Sequence, residues 1–227
     1  MNLLHASFPL GFALLGWVLL APAIGLALHA ARRKGFLPQG GQQHAWLAGV
    51  VGLALLWTLQ VRLGDGAAFG MLGAALYVLL FGWARAVLGL LCALLLHTAL
   101  TGGEWTSLGI NGLLFAVLPA AIATGLQRAL ARWLPKNLFV FIIGNGLFVT
   151  LVTTAAISTL LLAVSLGWVA APAAADHFGE YLGYALLLTW GEALASGMIF
   201  SALVIFTPNL VLTYRADLYL PPRVPRF

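Results

Sequence analysis

Apolar residues along this chain do not alternate with polar ones. They run on in long stretches that stop at short polar breaks. A run of about 20 apolar residues is what an α-helix needs to cross the hydrocarbon core of a bilayer, whereas a membrane β-barrel shows a two-residue period. Seven runs are expected to be spanning helices: residues 9–31, 44–61, 67–84, 86–101, 108–126, 138–170 and 181–206. The first stops at Arg32-Arg33-Lys34 and the second at Arg62, and Pro208 disturbs the end of the seventh. Only Arg85 separates the third from the fourth, so that turn must be tight. The sixth is long, but two crossings and a turn would need about 40 residues, so it is expected as one span. Gly144-Asn145-Gly146 within it favours a local break, which would free backbone carbonyls to line a cavity. The expected fold is all-α: one polytopic integral membrane domain over residues 1–227.

Composition narrows the class. Of 227 residues, 62% are hydrophobic and 7% charged, and the mean hydropathy is +1.01. Seventeen charged side chains (11 basic and 6 acidic) cannot cover a soluble domain. The net charge of +5 would raise nucleic acid as a partner of a soluble protein, but here the basic residues sit at the ends of apolar runs, and no nucleic-acid partner is expected. With seven spans, Arg32, Arg33, Lys34, Arg85, Arg128, Arg132, Lys136, Arg215, Arg223 and Arg226 share one side. The other side receives Arg62, Asp65, Glu104, Asp176 and Glu180. The positive-inside rule then sets the N-terminus outside and the C-terminus in the cytoplasm of a bacterial inner membrane. The first basic residue follows the first apolar run, so that run is expected as a retained helix rather than a signal peptide. Cys92, the lone cysteine, is expected to be a buried, inert thiol inside an apolar run.

Small residues at Gly66/Gly70 and Gly191/Ala195 have the spacing that lets membrane helices approach closely. The eight tryptophans lie mostly near segment ends, where an interfacial aromatic belt is expected.

No P-loop, G-x-S-x-G, H-E-x-x-H or cysteine-based metal motif is present, and no enzyme activity is expected. What remains is polar groups at membrane depth, which are costly and often functional. Glu192 lies twelve residues beyond Glu180, about 18 Å deeper along a helix. It reads either as a substrate or proton site, or as a satisfied carboxyl holding helices together. Asn111, just inside the fifth span, would cap a helix, bridge two helices or bind substrate. His5, His97 and Glu104 all fall at the outer side, where imidazole and carboxylate suit divalent Ni, Co, Cu or Zn. Taken singly, each histidine reads more readily as interfacial or structural.

The stretch Gly102-Gly103-Glu104-Trp105-Thr106-Ser107-Leu108-Gly109-Ile110-Asn111 resembles the "GG-x-T-x-LGAN" motif of the CbiM/NikM family, with one extra residue after the paired glycines. Met71-Leu72-Gly73-Ala74-Ala75 is similar to that family's third-helix motif, and Glu192 with its small neighbours to its "E-G" position. The family comprises the substrate-capturing membrane components of cobalt and nickel energy-coupling-factor (ECF) transporters. The resemblance implies seven spans and an outside N-terminus. In the family a free N-terminal amine and a histidine after Met bind metal, with a further histidine before the third-helix Leu-x-Gly. Here Asn2 follows Met1, the first histidine is His5, and Gly70 holds the other place.

The expected function is therefore the membrane substrate-binding component of an ECF-type ABC transporter, with a divalent metal as cargo and a separate ATPase and transmembrane coupling protein as partners. Substrate contact is assigned to Asn111 and Glu192, and metal contact to His5, His97 and Glu104; no cofactor is expected. The alternative is a non-transporting accessory or assembly subunit of a larger membrane complex.

Overall fold

The computed structural model describes residues 8–33, 35, 41–63, 67–168 and 178–219. Seven helices form the bundle among them. They are α1 (Leu10–Arg33), α2 (Gly41–Leu56), α3 (Ala74–Phe81), α4 (Trp83–Thr101), α5 (Leu108–Trp133), α6 (Leu138–Phe141 continuing to Thr150–Trp168) and α7 (Phe178–Phe206). A strand pair, β1 (Val61–Leu63) and β2 (Ala67–Phe69), joins α2 to α3 with Val61 opposite Phe69. A 3-10 turn at Pro208–Leu210 ends α7, and a short α8 (Ala216–Tyr219) follows. Helices α1, α4, α5, α6 and α7 are long and apolar enough to cross a membrane. The molecule is an all-helical multi-pass membrane protein, as its apolar runs predict. Leu14, Val18, Leu187, Met198 and Phe206 face outward as a lipid-contacting surface would require.

Helix direction follows from the contacts. Trp46 near the start of α2 donates to the Arg85 carbonyl near the start of α4 (3.0 Å), and His97 near the end of α4 meets Ala54 near the end of α2. The two therefore run parallel. α1 and α5 are parallel too, since Gly16 meets Gly109 and Leu20 meets Gly112. One end of the bundle carries Arg32, Arg33, Arg85, Arg128, Arg132, Lys136 and Arg215. The opposite end carries Glu104 and Glu180.

Backbone crossings use glycine. A Cβ on Gly16 would lie 2.6 Å from the Ile110 nitrogen, and one on Gly109 would lie 2.6 Å from the Trp17 nitrogen. Only hydrogen fits between α1 and α5 here. Gly146 of α6 packs on Gly197 of α7 in the same manner, with its Cβ position 3.2 Å from the Gly197 Cα. The expected Gly191/Ala195 pair is not such a crossing: Gly191 is exposed with open space where a Cβ would be. Gly66 lies outside the described residues, and Gly70 is not helical, so that pair forms no helix face.

Three segments depart from the expected spans. The third, expected over 67–84, is helical only from Ala74 to Phe81, and the second ends at Leu56 because residues 61–63 pair in the hairpin. Gly73 at φ 64° and Gly82 at φ 74° bound α3, conformations that favour glycine. Gly82 alone makes the tight turn into α4, which starts at Trp83, so Arg85 lies inside that helix. The Gly144-Asn145-Gly146 site does not break α6. The helix passes through it as a π-helical stretch, Ile142–Val149, and Asn145 Nδ2 donates to the Phe141 carbonyl (2.9 Å). A π-stretch absorbs an extra residue without opening the helix. A second one, Leu113–Val117, precedes Pro119, which lacks the N–H that an α-helical bond to Phe115 would need.

Candidate functional site

Glu192 stands at the midpoint of α7, fourteen residues from Phe178 and fourteen from Phe206. It is 4% exposed, and both carboxylate oxygens accept backbone bonds: Leu72 N–H donates to Oε2 (2.7 Å) and Gly73 N–H to Oε1 (2.8 Å). These two amides open α3. The chain between β2 and α3 therefore descends to the middle of the bundle, and α3 is a half-helix whose N-terminus meets a carboxylate. The first amides of a helix lack intrahelical acceptors and carry partial positive charge, so an anion there is stabilised. Half-helices whose amide ends point into the membrane interior need such a partner. The Leu72 carbonyl is also occupied, accepting from Trp57 Nε1 (2.9 Å). These two bonds tie the start of α3 to the middle of α7.

Trp57 extends this network. Its ring meets His97 edge-on at 6.3 Å and Phe115 at 5.8 Å. His97 is 1% exposed, with Nδ1 3.2 Å from the Ala54 carbonyl oxygen. A carbonyl only accepts, so Nδ1 carries a proton, and in the neutral ring Nε2 would hold the lone pair. This is how a metal-binding histidine is usually oriented from behind. Asn111 is also 1% exposed and lies one turn before Phe115. Its Oδ1 is buried without a hydrogen-bond partner among the described residues. Buried amide oxygens are rarely left so, because desolvation without a bond is costly. Asn111 does not cap the helix: it is inside α5, its N–H donating to the Ser107 carbonyl (2.9 Å).

Glu104 lies in the α4–α5 loop, where its Oε1 accepts from Thr106 Oγ1 (2.8 Å). His5 lies outside the described residues, as does His177. Among the described residues no three of His, Cys, Asp and Glu form a group that would hold a metal ion. The structure thus brings Glu192, Trp57 and His97 into one connected network. Glu104 is bonded within its own loop. Trp57 was not singled out from sequence as anything beyond one member of an aromatic belt. Its part in orienting the third-helix motif depends on a contact across fifteen residues, which no local pattern carries.

A family model described as "CbiM: Cobalt uptake substrate-specific transmembrane region" matches residues 2–210. The chain belongs to the CbiM family. That family is one of membrane transport components rather than enzymes, and its match covers the half-helix, its glutamate and the α4–α5 loop together. Two solved structures share the CbiM-family fold of this chain. One is described as the crystal structure of a transition metal transporter, with a TM-score of 0.66 and 17% identity over 88% of this chain and 92% of that one. The other is described as a truncated transition metal transporter, with a TM-score of 0.67 and 16% identity over 87% of this chain and 95% of that one. No curated protein matches the chain.

Proposed function

We propose that this chain is the substrate-binding membrane component of a metal uptake system of the energy-coupling-factor type, in a bacterial inner membrane. A divalent transition metal is the cargo, and a separate ATPase and transmembrane coupling protein supply the energy. The family match across residues 2–210 carries the reading. The site supports it in three ways. His97 is held from behind by a carbonyl, Asn111 offers a buried amide oxygen, and both lie towards the end of the bundle where α1 begins. Two residues, Ala6 and Ser7, separate His5 from Phe8, a reach of about 10 Å at full extension. His5 and His97 are the proposed nitrogen ligands, Asn111 and Glu104 the oxygen groups beside them. Glu192 acts through Leu72 and Gly73, setting the segment that carries the family's third-helix motif. The N-terminus is placed outside and the Arg-rich end in the cytoplasm.

Metal analysis of the purified full-length chain is the test. Stoichiometric Ni, Co, Cu or Zn, lost in His97→Ala and in His5→Ala, is expected. A chain that binds none of these metals and is recovered from membranes with a complex lacking an ATPase would instead favour the accessory-subunit reading. The absence of the family's second-position histidine, where Asn2 stands, is the feature that makes that arm worth running.

A further inference from the structure

Two cavities open at the Arg-rich end of the bundle. One, of about 210 Å³, lies beside Arg128, Lys136 and Asn145; the other, of about 300 Å³, lies beside Arg85. Gln127, Arg128 and Thr213 line both, so the two adjoin. Among the described residues lining them there is no Asp or Glu. Among those residues the vestibule gathers three cations, Arg85, Arg128 and Lys136, with neutral hydrogen-bonding groups. Arg85 is held in place by its Nη2 bond to the Gly35 carbonyl (3.0 Å), which fixes one wall.

The depth of this vestibule identifies what would fill it. α5 has 26 residues, about 39 Å at 1.5 Å per residue, against a hydrocarbon core of about 30 Å. The surplus of about 9 Å is roughly six residues, and Arg128 and Arg132, the only charged side chains of α5, favour the Arg128–Trp133 end as the part among the headgroups. Lys136 follows directly. Basic pockets between spanning helices at this depth suit anionic lipid headgroups, because the phosphate is held there at high local concentration and the helix walls lower the dielectric.

We propose that this vestibule binds the phosphate of an anionic phospholipid, with Arg128 and Lys136 as the charged contacts and Gln127 as a neutral donor. The site is separate from the metal reading and stands whether or not the chain transports. Native mass spectrometry of the detergent-purified full-length chain with phosphatidylglycerol or phosphatidylcholine tests it. Preferential retention of phosphatidylglycerol is expected, reduced about tenfold in the Arg128→Gln, Lys136→Gln double variant. Arg132→Gln removes a charge at the same end but lines neither cavity, and should retain the lipid. Equal retention of the two lipids, or equal loss in Arg132→Gln, would overturn the assignment. Inorganic phosphate forms the second arm: binding at Arg128 and Lys136 with no preference between the lipids would overturn a lipid origin. Thermal unfolding of the double variant within a few degrees of the parent excludes misfolding as the cause of loss.

Discussion

The two amides that open α3 have no other acceptor once Glu192 is removed, because the helix they begin turns away from them. Buried amides left without an acceptor cost about 1–3 kcal/mol each. Glu192→Leu should therefore lower the thermal unfolding temperature in detergent far more than Glu192→Gln, which keeps one carbonyl acceptor in nearly the same shape. Glu180→Gln, near the helix start, should change it little. Equal effects of all three would mean that the half-helix does not depend on this carboxylate. Tyr77 offers a smaller example. Its hydroxyl donates to the Trp46 carbonyl (2.8 Å), so Tyr77→Phe should cost about 1 kcal/mol.

Between elements, the tightest constraint is the Gly16–Gly109 crossing. Gly109→Ala sets a methyl 2.6 Å from a backbone nitrogen that cannot move without shifting α1. Overpacking of this kind costs about 1–3 kcal/mol. Gly25→Ala, on the same helix α1 with open space around it, should instead be neutral or stabilising by up to about 1 kcal/mol, as alanine is the better helix former. Paired unfolding curves check both signs at once. These crossings also show where the sequence was legible. Five long apolar runs became five long helices, four of them within about three residues of their expected ends and the fifth running on from residue 126 to Trp133. The third run misled because hydropathy cannot distinguish a fully helical span from a crossing that is half extended chain, with amides satisfied from elsewhere in the bundle. Gly70, Gly73 and Gly82 were the visible hint, and the partner was Glu192, 119 residues away from Gly73. Likewise, two glycines flanking Asn145 announce a disturbance, but whether it breaks the helix depends on the Gly197 face that Gly146 meets.

At the scale of the molecule, the described basic residues other than Arg62 gather at one end of the bundle, and Glu104 and Glu180 lie at the other. The orientation follows as a prediction of labelling: Cys92 is the only native cysteine and is exposed on α4 rather than buried as its apolar run suggested, so Cys92→Ser provides a clean background. A cysteine placed at Trp105 should react with an impermeant thiol reagent applied outside intact cells, and one placed at Arg132 only after the membrane is opened. The reverse pattern would invert the topology. The candidate site was less legible than the fold. Asn111 and Glu192 stand out as polar groups in apolar runs, but no local pattern shows what either one meets. Glu192 and Trp57 reach the start of α3 only in three dimensions.

The central claim is that a divalent metal is captured at the His97 end of the bundle. Calorimetric titration of the purified full-length chain with Co, Ni, Cu and Zn, beside His97→Ala and Asn111→Ala, tests it most directly. The account predicts saturable binding of at least one of these ions, abolished in His97→Ala and weakened in Asn111→Ala, while Arg132→Gln binds as the parent does. Saturable binding that persists unchanged in His97→Ala, or no binding by the parent chain, would contradict it.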